Sequence, residues 1–295
     1  MKARATIVGR ALRVVVLAVL TTSCTTAPSV DLDGFARAAG ALQANVGTSF
    51  TDANRLARSV EVDRFVRSGS IALSERRFPP AVPPEVAGKW RSALGDLARY
   101  GNLLATLTDA RRGGVQTEAF RQLGTQLNAG RTAADLDPGV TAGFAALAGA
   151  LVDLKAQASA RDILRRTDPD VRALLTAMAN AVGSTEAEGL RGTVASNWTA
   201  ALSSYQRTYA VAATEKSEAR QRQIVTDYLA GLDKRDAQLA ALASLRSSLL
   251  SLADAHAAAA AGSHRPFEEV LRDVNDRVAR TEATYRALEQ REDAR

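Results

Sequence analysis

The chain has 295 residues, 38 of them Lys or Arg against 32 Asp or Glu, with a pI near 9.8. A basic balance of this kind suggests a nucleic-acid binder, yet Lys2, Arg4, Arg10 and Arg13 all lie in the first 23 residues, which hold no acid. Without that segment 34 basic residues face 32 acidic ones, with both signs mixed along the chain, so no nucleic-acid footprint is expected.

The four basic residues flank and precede an apolar run, Val14 to Leu20, which small polar residues (Thr21-Thr22-Ser23) connect to Cys24. A basic start, a short apolar core and small residues at a cut site form a secretory signal. The run is too short for a membrane-spanning helix, which needs about 20 residues. Leu20-Thr21-Thr22-Ser23-Cys24 resembles the lipobox of bacterial lipoproteins, with Thr21 at the usual leucine position. The resemblance implies cleavage before Cys24, a thioether-linked diacylglycerol on it and acylation of the new amino terminus. An ordinary signal peptide and an N-terminal apolar helix are the competing readings. That Cys24 is the chain's one cysteine, placed where the lipobox requires it, favours lipidation. Residues 1–23 are thus the expected signal, 24–31 a short lipidated tether, and 32–295 a single all-α domain. In such lipoproteins an Asp after the cysteine resembles an inner-membrane retention signal; Thr25 stands there, favouring the outer membrane, with the domain in the periplasm. No disulfide is available to this domain, so its fold must rest on apolar burial.

Phe35, Ala39, Leu42, Val46, Ser49, Ala53, Leu56 and Val60 alternate four- and three-residue steps, a coiled-coil-like seam predicting a first helix that ends near Gly69. Phe78-Pro79-Pro80-Ala81-Val82-Pro83-Pro84 breaks regular structure and reads as a stiff connector. A second helix opens at Pro84 with Ala87, Trp90, Leu94, Leu97, Gly101 and Leu104 on one face. Gly113-Gly114 predicts a turn, and Phe120, Leu123 and Leu127 line a shorter helix from about Thr117. Asp137-Pro138 caps a helix bearing Phe144, Leu147, Leu151 and Leu154. Asp168-Pro169 is read as a second such cap, opening a helix with Val171, Leu174, Leu175, Met178 and Val182. Thr185 and Glu188 have capping-box spacing. The helix after them, carrying Leu190, Val194, Trp198, Ala201, Tyr205 and Tyr209, is expected to continue to Gly231, although the polar stretch 214–223 offers a place to break. Leu239, Leu242, Leu245, Leu249 and Leu252 then line one arm of a hairpin, Gly262-Ser263 its turn, and Phe267, Leu271, Val274, Val278, Tyr285 and Leu288 the other arm. No stretch alternates with period two, and no fixed repeat is present. The expected fold is an elongated antiparallel bundle with partly coiled-coil-like helices.

The chemistry is sparse. His256 follows Leu252 by four residues on the apolar face and reads as a packed or hydrogen-bonded interface histidine; His264 lies in a turn. Glu186/Glu188, Asp168/Asp170 and Glu268/Glu269 are placed near helix starts, where they complement the dipole. Metal-ligand spacing, phosphate loops and nucleophile elbows are missing from the sequence, so neither cofactor nor metal is expected. Trp90, Tyr100, Trp198, Tyr205 and Tyr209 concentrate bulk in a chain only 5% aromatic, and are the candidate contacts for a ligand or partner. The leading expectation is a non-enzymatic, membrane-anchored module that binds or organises another envelope protein. The alternative is a small-ligand binding or sensing protein with a pocket near Trp198 and Trp90. A third reading, an enzyme, requires two or more buried titratable groups converging in a cleft. Oligomeric state has no signature in the sequence.

Overall fold

A computed structural model describes residues 32–108, 116–129, 137–154 and 159–263, with 269, 272–277, 279–280 and 283 beyond them. The signal segment, the lipobox, Cys24, Gly113-Gly114 and His264 lie outside the described residues, as do most positions of the last hairpin arm. Among the described residues the structure is all-α, with no strand. The helices are α1 (Leu32–Arg67), α2 (Pro84–Thr108), α3 (Gln116–Ala129), α4 (Pro138–Val152), α5 (Ala160–Val182), α6 (Gly189–Thr214) and α7 (Glu218–Ala261), with a 3-10 turn at Glu75–Arg77. Residues 272–277 are also helical, and Val274 is buried.

α1 follows directly from its seam. All eight seam residues are buried, including Ser49 and Ala53, whose small size admits a close neighbour. The helix stops two residues before Gly69, which takes the left-handed φ of 64°. The proline connector then docks on α1. The Asn54 side-chain amide donates to the Val82 carbonyl at 2.9 Å and accepts from the Val82 N–H at 2.7 Å, burying Val82. α2 returns antiparallel: Trp90 meets Phe50 with ring centroids 5.4 Å apart, and Tyr100 meets Phe35 at 6.4 Å. They pack tightly at Gly101, where a methyl group would stand 2.9 Å from the Phe35 ring and 3.0 Å from the Ala36 nitrogen.

The Asp137 carboxylate caps α4 as expected, accepting from the Gly139 N–H at 2.8 Å and the Val140 N–H at 3.4 Å. α3 packs on α2 and α4; α5 packs on α4, α6 and α7; α1 packs on α6 and α7. α5 and α7 run antiparallel, since Arg161 lies against Gly262 and Asp168 meets His256. α7 ends at Gly262 (φ 78°), where the Ser263 N–H bonds the Ala258 carbonyl at 2.8 Å and the Gly262 N–H bonds that of Ala259 at 3.0 Å. This is a Schellman closure.

Three local expectations are corrected. Asp168-Pro169 does not open a helix. α5 begins nine residues before Pro169, at Ala160, behind a capping box in which Ser159 and Asp162 bond each other's backbone N–H groups. Pro169 sits inside the helix, at a cost of about 3 kcal/mol. Buried Ile163, Leu164 and Thr167 before it and Val171, Leu174 and Leu175 after it hold the helix through that position. Thr185 and Glu188 are not a capping box either. The Thr185 hydroxyl accepts from the Ala187 N–H at 3.3 Å, and the Glu188 carboxylate accepts from the Ser184 hydroxyl. Finally, the helix after Glu188 does not continue to Gly231. α6 stops at Thr214, and the chain turns through Lys216, a non-glycine residue at φ 54°. The long helix is α7. It passes through Gly231 without a break and covers 44 residues, about 66 Å at 1.5 Å each. Gly231 stands where α6 crosses, and a methyl there would meet the Leu202 side chain at 3.2 Å.

Candidate functional site

α2, α5 and α7 each contribute polar side chains to one point in the apolar core. The Tyr100 hydroxyl of α2 lies 2.6 Å from the Thr167 hydroxyl of α5 and 3.0 Å from Nε2 of His256 on α7. Nδ1 of His256 lies 3.0 Å from a carboxylate oxygen of Asp168 on α5. The Thr167 hydroxyl is also 2.9 Å from the Ile163 carbonyl. Phe35 of α1 sets its ring edgewise against His256, 5.7 Å between centroids, and Phe120 of α3 does the same against Tyr100. Tyr100 and Thr167 are fully buried and His256 is 1% exposed, whereas the Asp168 side chain is 22% exposed. The chain of hydrogen bonds thus runs from the surface at Asp168 into the core.

Helix geometry explains the convergence. Thr167 and Asp168 are adjacent on α5, so their side chains point about 100° apart and reach α2 and α7 separately. Gly101 lets α1 and α2 close, which brings Phe35 over both rings. Each polar group is matched, as burial requires.

Electrostatics follow from the same contacts. Burial holds the His256 pKa below its ordinary value, partly offset by the hydrogen bond and charge of Asp168. The His256 hydrogen bond in turn lowers the Asp168 pKa, with help from the Arg172 guanidinium 3.6 Å away. Burial drives the Tyr100 phenol well above the ordinary range for tyrosine. Tyr100 is therefore a neutral hydroxyl at physiological pH. Three titratable groups converge here, but they are packed among helices rather than set in a cleft.

The aromatic candidates do not form one site. Trp90 is buried against Phe50, and Tyr100 belongs to the polar chain. Trp198 is buried on α6 and donates its indole N–H to the side-chain amide oxygen (Oε1) of Gln238 on α7 at 2.7 Å. Tyr205 is half-buried beside it, both rings lying over Gly231, whereas Tyr209 is 40% exposed. The sequence does not single out Thr167 or Asp168 as contacts, because Asp168-Pro169 has the local signature of a helix cap. The signal in the sequence is His256 itself, since a histidine on an apolar face needs buried partners.

Two surface features complete the picture. Gly40, Gln43, Gly47, Thr51 and Arg91 line an open groove of about 560 Å³ along α1. Exposed large apolar side chains gather elsewhere. Val62, Val66, Ile71 and Leu73 occupy the end of α1 and the connector after it, and Tyr209, Val211, Val225 and Leu229 flank the α6–α7 turn. The Arg67 guanidinium donates to the Ser204 hydroxyl at 3.3 Å, joining the two groups' elements at one end of the bundle. Among the described residues no helix is long and apolar enough to cross a membrane, and no cluster of three or more metal-ligating side chains occurs. Comparison with protein-family models, with curated proteins and with solved structures returns no match to this chain.

Proposed function

We propose that this chain is a lipid-anchored envelope protein whose helical bundle binds another protein without catalysing a reaction, using the apolar end formed by α1, the connector and the α6–α7 turn. The carrying observation is that concentration of exposed apolar side chains. Ile71 is 96% exposed, Leu73 77% and Val66 70%. Exposed large apolar side chains concentrated on neighbouring elements mark interaction sites more often than singly scattered ones do. Val225 and Leu229 on α7, like Val62 and Val66 on α1, are spaced i, i+4, the spacing that meets a helix laid alongside. Leu32, where the described chain begins, lies near Phe35 and His256 at the opposite end. The start of α1 and the binding end are then separated by the length of that helix, about 54 Å for its 36 residues.

The ligand-binding alternative draws less support. Trp90 and Trp198 are packed against different helices, and the groove along α1 is open. A photo-crosslinking residue placed at Leu229 or Val66 in cells, with the tagged chain then recovered, tests the proposal. A reproducible adduct with one protein is expected from these sites and not from Arg172 on α5. Recovery of uncrosslinked monomer with a co-purifying small molecule would overturn it. The anchor has a separate test: Cys24→Ser should abolish processing and release the chain from membranes, and unchanged fractionation refutes lipidation.

A further inference from the structure

We propose that Asp168, His256, Tyr100 and Thr167 form a reversible proton-linked element, a hydrogen-bond chain that lets His256 gain a proton in the core while two hydroxyl groups reverse direction. The warrant is a count of protons. Tyr100 has two neighbours for its oxygen, at 2.6 and 3.0 Å, and one hydrogen, so it donates to one and accepts from the other. With neutral His256, Nδ1–H donates to Asp168, the bare Nε2 accepts from Tyr100, and the Tyr100 oxygen accepts from Thr167. On protonation one proton from solvent ends on Nε2, which now donates to the Tyr100 oxygen. Tyr100 turns its hydrogen to Thr167, and Thr167 turns its own to the Ile163 carbonyl, already 2.9 Å away. No covalent bond other than the new N–H changes, and no buried group is left without a partner in either state.

The surroundings fit both states. α5 presents the Asp168 carboxylate to the imidazole, with the Arg172 guanidinium behind it. α2 presents the Tyr100 phenol, and α1 the uncharged Phe35 ring. On the following turn of α7, the Ala260 carbonyl accepts from Arg165 of α5 at 3.4 Å. A buried histidine without such a chain would leave one nitrogen orphaned on titration, at the full desolvation cost. Here the end of the bundle where α1 begins can change its charge and stay folded, which makes it responsive to an acidifying environment.

The test is the ¹⁵N spectrum of the histidine rings in the full chain, with His264→Gln removing the chain's other histidine. At pH 8 the Nδ1–H tautomer is expected. His256 should then titrate below pH 6.5, with the proton arriving on Nε2 and the backbone amide spectrum retained through the step. Thr167→Val keeps the shape but removes the acceptor that the Tyr100 hydrogen needs in the charged state, and should lower the midpoint by about 0.5–1 pH unit. An Nε2–H tautomer at pH 8, loss of the fold before His256 titrates, or an unchanged midpoint in Thr167→Val each overturns the proposal. Should Thr167→Val not fold, the tautomer and titration of the parent chain decide alone.

Discussion

Replacing a helix-interior glycine by alanine should have opposite signs at two positions of this bundle, and the difference is purely tertiary. At Gly40 a methyl group meets nothing within 4 Å. There the substitution gains only helix propensity and reduced unfolded-state entropy, about 0.5–1 kcal/mol of stabilisation. At Gly101 the same methyl would stand 2.9 Å from the Phe35 ring, 3.0 Å from the Ala36 nitrogen and 3.1 Å from the Ala36 α-carbon. Two of those three atoms are backbone and cannot swing aside, so α1 and α2 must separate. Overpacking of this kind costs about 1–3 kcal/mol, which exceeds the propensity gain. Phe35 also covers His256 and Tyr100, so the separation would reach the polar chain. Urea unfolding of the two variants beside the parent chain, in mild detergent, measures both signs. If Gly101→Ala stabilises as Gly40→Ala does, the close crossing of α1 and α2 is not the constraint described above.

Pro169→Ala should stabilise the chain by about 1–3 kcal/mol, since it restores an N–H inside α5; a neutral result would return Pro169 to a helix start. Ser159→Ala should cost about 0.5–2 kcal/mol in the same unfolding assay, because Ser159 caps α5. Trp198→Phe should cost about 1–3 kcal/mol by orphaning the Gln238 oxygen, and Gln238→Met added to it should recover part of the loss in a double-mutant cycle. Stability should also fall with acid. The folded His256 pKa lies below the unfolded value of 6.5, so the unfolded chain binds more protons between the two. The contribution is complete above pH 6.5 and is lost as pH drops through the folded value. The lowered Asp168 pKa adds a second loss below its unfolded value of 3.8. Unfolding midpoints across pH should show the first loss in the parent chain and not in His256→Gln.

The all-α class, the extent of α1, the connector and the Asp137 cap were legible in the amino acids because each rests on local physics. A sustained apolar period marks a buried stripe, consecutive prolines forbid a helix, and Asp-Pro supplies a capping carboxylate and a preset φ. Where local signals competed with packing, packing decided. Pro169 marks a boundary by its own chemistry, yet the apolar residues on both sides of it bury enough surface to carry α5 through. Gly231 looks like a terminus, yet α7 continues across it, with Leu202, Tyr205 and Trp198 of α6 packed over it. The α6–α7 turn falls at Lys216, which carries no glycine or proline signal. The polar chain was the least legible feature of all. Its members stand at positions 100, 167, 168 and 256, on three helices. The order of amino acids along α7 is enough to put His256 on an apolar interior face, where it needs partners. Which partners it meets follows from helix packing, because hydrogen-bond contact between residues as many as 156 positions apart depends on how helices cross.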